Sequence, residues 1–365
     1  MSLALDNGAA AASSEASFLG LIRRQLAKPM DLPKDLRLDD QVAVVTGGNG
    51  GLGFEASRHL LRLGLSHLII GVRSQARGDE AATRLRNEFP ASKLSVWILD
   101  MESYDSCCGF ADQCAALPRL DMVILNAGFM KTPFATVSGT GHEVTMQVNY
   151  FSTALLSILL LPVLREQKKS AGEEIRKPPV LGIVGSDIMW STKVETVGPV
   201  LNQFDEPKEF AQPRWYGVSK LLLALFVWRL SEAVNPDEVI INLVNPGMTG
   251  GTSFFSRESF VVRKAIGLVQ FLLARKADVA ATTYVDAVAA RGKESHGAVL
   301  SDWTIKPLVL TSCPSYFTDT DQSRYPSICY TAEGTVSRDR LWEETMEDLS
   351  SYRASEIVAG LNANN

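Results

Sequence analysis

Short apolar runs and longer amphipathic stretches alternate along most of this chain. Residues 42–45, 67–72, 94–99, 120–125, 180–184 and 239–244 are runs of a few mostly apolar residues. Their length and near-continuous apolarity fit strands covered on both faces. Between them, residues 54–63, 78–89, 105–117, 144–164 and the stretch following residue 216 have helical spacing, and Gly64 stands where a helix end favours glycine. Strands alternating with helices predict an α/β fold, a doubly wound parallel sheet with helices on both faces, over residues 40–305. Ahead of it, residues 1–39 form a leader. Its first 17 residues read as disordered. Residues 18–26 carry Phe18, Leu19, Ile22 and Leu26 at helical spacing, with Arg23 and Arg24 on the other side. That predicts a short helix that packs on the domain or makes a weak membrane-surface contact. Residues 306–365 form a C-terminal extension without a usable motif, and 339–349 has the spacing of a helix packed back on the sheet.

Composition narrows the class. The 365 residues are 46% hydrophobic and 21% charged, an ordinary globular balance with one main core. A net charge of −5 without a basic block argues against nucleic acid as a partner. Five cysteines, an odd count without ligand spacing, read as free thiols in a reducing compartment, and the four scattered histidines give no metal pattern. The strongly apolar 155–164 is about half a membrane span and is ended by Pro162 and Arg165, so it reads as a buried helix. A cytoplasmic protein follows, with peripheral membrane association as the other reading.

The chemistry starts at the first strand end. Thr46-Gly47-Gly48-Asn49-Gly50-Gly51-Leu52-Gly53 lies between a strand and a helix. Glycines let the backbone turn tightly against a pyrophosphate, and the free N–H groups of the helix start face the anion. Gly47, Asn49, Gly51, Leu52 and Gly53 are therefore candidate dinucleotide contacts. The second strand ends in Arg73-Ser74, with no acid in place, and a guanidinium suits a 2′-phosphate; NADP(H) is expected over NAD(H). Asp100, at the end of the third strand, could accept from the adenine amino group. Asn126-Ala127-Gly128, at the end of the fourth, lets a cofactor lie against backbone.

With these residues in view the chain resembles the short-chain dehydrogenases/reductases, over about residues 40–305. The resemblance rests on Thr46, Gly47, Gly51 and Gly53 in the turn, on Asn126-Ala127-Gly128, Asn149, Ser186, the Tyr216-x-x-x-Lys220 pair and Pro246-Gly247. Within that family it looks most like retinol-dehydrogenase-like members and fungal relatives of secondary metabolism. The resemblance implies a Rossmann-type domain, with Asn149, Ser186, Tyr216 and Lys220 as catalytic residues and Asn149 holding a water that links Lys220 to a proton relay. It also implies that Pro246, Gly247 and a following Thr contact the nicotinamide. Thr249 is favoured over Thr252, although neither has the usual spacing. A mobile substrate lid would span 248–273, whose apolar residues could equally be core or a patch that touches membrane or a second subunit. Family members often dimerise through the helices that here are 144–164 and 217–230, while the fatty-substrate subgroup can be monomeric or membrane-associated.

The residues themselves carry a mechanism. A carbonyl receiving hydride needs a proton, and an alcohol losing it needs a base; Tyr216 serves both if its pKa falls. Lys220 is one helical turn away, and a cation about 4 Å from a phenolate at an effective dielectric near 20 lowers that pKa by roughly three units. Ser186 can hold the substrate oxygen. Residues 187–215 separate Ser186 from Tyr216 by 30 positions (216 − 186) and carry Trp190, Phe204 and Phe210, which suits a substrate wall. The expected activity is NADP-preferring hydride transfer between nicotinamide and a small lipophilic secondary alcohol or ketone, in specialised metabolism. The other readings are a non-redox isomerase or cyclase on the same scaffold, and a dinucleotide-sensing regulator.

Overall fold

The structure is a computed structural model that describes residues 13–170, 177–207, 210–250, 274–306 and 325–362. Eight strands form one sheet in the order β3-β2-β1-β4-β5-β6-β7-β8. They are β1 (Val42–Thr46), β2 (His67–Val72), β3 (Lys93–Ile98), β4 (Met122–Leu125), β5 (Val180–Val184), β6 (Ile240–Asn245), β7 (Val299–Ser301) and β8 (Thr304–Lys306). All pairings are parallel except β7 with β8. The order reverses between β1 and β4, and such a switch point opens a crevice at the carboxyl ends of the strands. The central strands are buried along their whole length, as their unbroken apolar runs require. β7 and β8, three residues each, are too short to give a periodic signal.

Helices cover both faces. One core holds α2 (Gly51–Arg62), α3 (Gln75–Glu88) and α7 (Ala277–Val285) against the sheet. The other holds α4 (Tyr104–Ala115), α5 (Ser152–Ser170) and α6 (Gln212–Glu232). α5 is entered through a short α turn, Val144–Met146, and a π turn, Gln147–Phe151. The stretch Val144–Glu166 is long and apolar enough to cross a membrane, and 89% of its apolar window is buried within the protein. Cys107, Cys108, Cys114 and Cys329 are free thiols.

Both ends of the chain differ from expectation. Within the described part of the leader, Ser13–Ala16 is a helical turn, Glu15 is buried, and α1 (Phe18–Gln25) follows. α1 packs with its polar side inward. Arg24 and Gln25 are buried, while Phe18, Leu19 and Leu26 are 66%, 76% and 68% exposed. The C-terminal extension packs on helices rather than on the sheet. In α8 (Ala332–Asp348), Trp342 stacks on Phe226 of α6 at 5.7 Å, and Thr345 bonds Tyr150 at 2.7 Å. α9 (Ala354–Asn362) lies on α5. The two helices expected to form a homodimer are thus covered by the chain's own extension, and α6 is buried over nearly its whole length.

Candidate active site

The crevice at the strand ends opens into a cavity of about 1570 Å³. That exceeds the roughly 300–1,000 Å³ of a single small-ligand pocket. Its lining runs from Arg73 and Asp100 at one end, past Gly47, Asn49, Gly51 and Leu52, to Ser186, Tyr216, Lys220 and Thr249 at the other. Nearly all the residues singled out from sequence meet in this one space.

At the dinucleotide end, α2 begins at Gly50 with no side chain capping its first N–H groups. Those donors face the cavity, which is what an anion site needs. Gly47 has φ +67°, a left-handed backbone that favours glycine. A Cβ at Gly53 would lie 2.6 Å from both the Gly47 carbonyl oxygen and Asn126 Nδ2, so Gly53 itself stays out of the lining yet sets the tightness of the turn. Asn126 Nδ2 donates to Thr46 O at 2.9 Å, and Ala127 N donates to Thr46 Oγ1 at 2.9 Å. These bonds tie the ends of β1 and β4 across the switch point. The residues present therefore fit a dinucleotide.

The 2′-phosphate position is less simple than the end of β2 suggested. Arg73, Ser74 and Arg77 all line the cavity, and Ser74 heads α3 without capping it. Arg73 Nη1, however, pairs with Glu102 Oε1 at 2.6 Å, and Glu102 also lines the cavity. An acid does stand beside the guanidinium, brought from a different loop. With Arg73 65% exposed, the pair is worth only about 0–1 kcal/mol, so the guanidinium can exchange partners. One Asp100 oxygen accepts from Glu102 N at 3.0 Å and shapes the same loop.

At the chemical end, Ser186 closes β5 in extended backbone ahead of the 3₁₀ turn Asp187–Trp190. That turn and the residues after it touch α6 where Gly217 lacks a side chain: a Cβ there would fall 3.4 Å from Ile188 Cγ1 and 2.4 Å from Thr192 Oγ1. The close approach brings Ser186 into hydrogen-bond contact with Tyr216. Lys220 Nζ is buried, lies 6.0 Å from the Tyr216 ring centre and donates to Val184 O at 2.8 Å.

The electrostatics run against the simple tuning argument. Burial pushes the Tyr216 phenol up to about 12, with the Ser186 hydrogen bond pulling down and the Asp187 charge adding to the rise. Burial alone brings Lys220 down to about 8. The ammonium is bonded to a carbonyl rather than to the phenol, so the expected depression of Tyr216 does not occur in this arrangement. Asn149 is likewise engaged: its Oδ1 accepts from Phe129 N at 3.0 Å, and its Nδ2 donates to Phe129 O at 2.9 Å and Ser219 Oγ at 3.2 Å. It sits in the π turn, a distortion frequent at functional sites, and its Oδ1 would lie 3.0 Å from a Cβ at Gly128.

Thr249 lines the cavity with Pro246, Gly247 and Met248, its hydroxyl donating to Gly247 O at 3.2 Å. Thr252 and residues 251–273 of the expected lid lie outside the described residues. Of the described residues of the 187–215 insertion, 187, 188, 190, 191, 212 and 213 border the cavity. Val200, Leu201 and Phe204 are buried elsewhere in the core, held through Glu344 of α8, which accepts from Val200 N at 2.9 Å and Leu201 N at 2.8 Å. Several cavity residues carried no sequence signal: Leu21, Glu102, Phe129 and Tyr284. The Tyr284 hydroxyl is buried with no hydrogen-bond partner among the described residues.

A doubly wound sheet with a glycine cradle at its switch point, facing a hydroxyl, a phenol and an ammonium, is a class of fold and site suited to hydride transfer. Comparison with known proteins agrees. The family description "short chain dehydrogenase" matches residues 41–175. The short chain dehydrogenase virL of Hypocrea virens is 53% identical over 361 residues, 99% of each chain. The short chain dehydrogenase/reductase mfmJ of Annulohypoxylon moriforme is 41% identical over 347 residues, 93% of each chain. Among solved structures, a 3-oxoacyl (acyl-carrier-protein) reductase from Agrobacterium tumefaciens C58 with NADP bound shares the fold. Its TM-score is 0.54 at 15% identity, covering 72% of this chain and 93% of that one. A short-chain dehydrogenase from Sphingobium yanoikuyae in complex with NADPH gives 0.51 at 18% identity, covering 67% and 83%. The chain belongs to the short-chain dehydrogenase family, beside fungal members, and is an NAD(P)-dependent oxidoreductase.

Proposed function

We propose that the protein is an NADP-preferring reductase of a lipophilic ketone, in fungal specialised metabolism. The observation that carries this reading is the meeting of Ser186, Tyr216 and Lys220 with the glycine cradle in a single cavity. When bound, the nicotinamide supplies the hydride. The protein's part is orientation and a proton. The Ser186 hydroxyl, in contact with Tyr216, holds the substrate oxygen; the Tyr216 phenol then gives its proton to that oxygen as the alkoxide forms. The Tyr216 phenol, which burial pushes up, holds the proton that ketone reduction requires. Lys220 holds a buried positive charge where a phenolate is left behind, from which it can be reprotonated.

The NADP preference is supported by Arg73, Ser74 and Arg77 at one end of the cavity and opposed by Glu102. The lipophilic class is supported by Phe129, Ile188, Trp190 and Met248 at the other end. Specialised metabolism is supported by the fungal relatives. Burial of α5 and α6 under the C-terminal extension supports a chain that does not dimerise through those helices.

The test is Tyr216→Phe, assayed by turnover and by NADPH fluorescence titration. Loss of one proton donor predicts a fall in kcat of about 10²–10⁴-fold with an unchanged NADPH dissociation constant. A variant that keeps its rate removes Tyr216 from the reaction, and an unaltered enzyme with a lower KM for NADH than for NADPH removes the cofactor preference.

A further inference from the structure

α1 and the turn before it carry a buried ionic network beside the reacting groups. Arg24 Nε donates to Asp187 Oδ1 at 2.9 Å, and its Nη1 donates to the Glu15 backbone oxygen at 2.7 Å and pairs with the Glu15 carboxylate. Lys306, fully buried at the end of β8, reaches Glu15 Oε1 at 3.2 Å and Asp302 Oδ1 at 3.1 Å. Arg275 donates to the Arg24 carbonyl oxygen. Three acids (Glu15, Asp187, Asp302) thus meet three bases (Arg24, Arg275, Lys306). Gln25 adds a two-way pairing to the chain after Pro246-Gly247: its Nε2 donates to Met248 O, and its Oε1 accepts from Met248 N, both at 2.9 Å. Such a cluster fixes one geometry, because every member that moves leaves another buried and unpaired.

We infer that residues 13–26 are the outer wall of the substrate cavity, and that Arg24 is a positioning residue for the Ser186 hydroxyl. This rests on the reductase reading above. The wall is direct: Ala16, Ser17, Phe18 and Leu21 border the same cavity as Ser186 and Tyr216. Phe18, mostly exposed, stands at its mouth, and the half-buried Leu21 lies deeper. Both offer apolar surface to a lipophilic ligand. The positioning is carried by two grips on one turn. Arg24 bonds Asp187, the residue after Ser186, and its guanidinium lies 4.7 Å over the Trp190 ring. Asn245 Nδ2 holds the same Asp187 oxygen at 2.8 Å. The turn that follows Ser186, Asp187–Trp190, is therefore pinned at its first and last residues by Arg24.

The charge matters as well as the grip. The Asp187 carboxylate raises the Tyr216 phenol, and Arg24 is the cation bonded to that carboxylate. Without it, the negative charge beside Tyr216 is less compensated and the proton is held more tightly.

The test uses full-length protein and 1-tetralone, a bicyclic aromatic ketone, as the probe. Binding to the NADP⁺-loaded protein is followed by calorimetry, turnover is measured with NADPH, and the pH profile is taken for oxidation of 1-tetralol. Leu21→Gln and Phe18→Ser should each weaken ketone binding, Leu21→Gln by about ten-fold, with NADPH affinity within about two-fold of the unaltered protein. Arg24→Met should lower kcat about ten-fold and move the pH midpoint of oxidation upward by about half a unit. Arg24→Met with Asp187→Asn, which removes both charges, should bring that midpoint back. Unchanged ketone binding in both wall variants overturns the wall. An unmoved midpoint in Arg24→Met reduces Arg24 to a purely structural part. An unaltered protein that binds the ketone but does not reduce it defeats the reductase reading and leaves the wall to be judged by calorimetry. One that binds no ketone overturns the ligand class given to this wall.

Discussion

The two halves of the cavity are built from different material. The dinucleotide half is backbone: Gly47, Gly50, Gly51 and Gly53, the uncapped start of α2, and the bonds between Thr46 and Asn126-Ala127. Its parts are close in sequence or lie at consecutive strand ends. The substrate half is made of side chains from distant places. Arg24 meets Asp187 across 163 positions, Lys306 meets Glu15 across 291, and α8 steadies the 187–215 insertion from the far end of the chain. A backbone cradle fails through one added methyl group. A side-chain assembly fails through one unpaired charge. Each half can be broken in its own way.

The largest effect is expected at Gly53. A methyl there meets a backbone oxygen at 2.6 Å, which cannot rotate away, and the Asn126 amide at the same distance. Gly53→Ala should weaken NADPH binding about 100-fold, equivalent to about 2.7 kcal/mol. Fluorescence titration measures it. The thermal midpoint should fall by a smaller amount, because the strained turn lies at the sheet edge of the cavity rather than in either core. NADPH binding within a few-fold of the unaltered protein would show that the turn can widen, and that the cradle is not set by backbone contact.

The substrate half has a pH-dependent support. His142 is held between Asp205 of the insertion, at 3.1 Å, and Asp348 of α8, at 2.8 Å, and its ring stacks on Phe151. Tyr104 donates to the other Asp348 oxygen at 2.8 Å. Burial opposes the imidazolium, but the hydrogen bonds and charges of Asp205 and Asp348 outweigh it and push the group up to about 9. A raised folded pKa means that the contribution is complete below the unfolded value near 6.5 and is lost as pH climbs through about 9. It should amount to something on the order of 2–3 kcal/mol. Denaturant titrations at pH 6 and pH 9.5 should differ by that amount in the unaltered protein and by much less in His142→Asn. Any change of NADPH affinity across the same range should be the same in His142→Asn as in the unaltered protein, because His142 belongs to the other half. Equal stabilities at the two pH values would mean that the insertion and α8 are not held through this histidine.

The same contrast explains what could be read in the chain. The strands and the glycine turn were legible because their signal is local: apolar runs at strand length, and glycines between a strand and a helix. Gly64, with φ +91°, ended α2 where sequence placed it. The face of α1 was not legible. Periodicity marks Phe18, Leu19 and Leu26 as the packing side, yet Arg24 and Gln25 are the buried ones, because they bond Asp187 and Met248, more than 160 positions away, and Arg24 also holds Glu15. Glu102 escaped for the same reason: it reaches Arg73 from a loop 29 positions away. At Tyr216 burial, rather than Lys220, sets the direction, because spacing along a helix fixes the face of Lys220 but not the carbonyl its ammonium chooses.

Tyr284 lies at the seam between the halves and gives the smallest and most discriminating effect. Its ring packs in the core under α7, its edge borders the cavity near Tyr216, and its hydroxyl has no partner among the described residues. A buried hydroxyl left unbonded costs about 1–3 kcal/mol, so Tyr284→Phe removes a penalty rather than an interaction. The variant should be as stable as the unaltered protein or more stable by about 1 kcal/mol, with NADPH affinity and turnover unchanged. Thermal denaturation with and without NADPH measures both at once. If the variant loses stability only when NADPH is present, the hydroxyl bonds the cofactor, and the dinucleotide half then includes a side chain from α7. If it loses stability in both conditions, the hydroxyl has a protein partner and Tyr284 belongs to the scaffold.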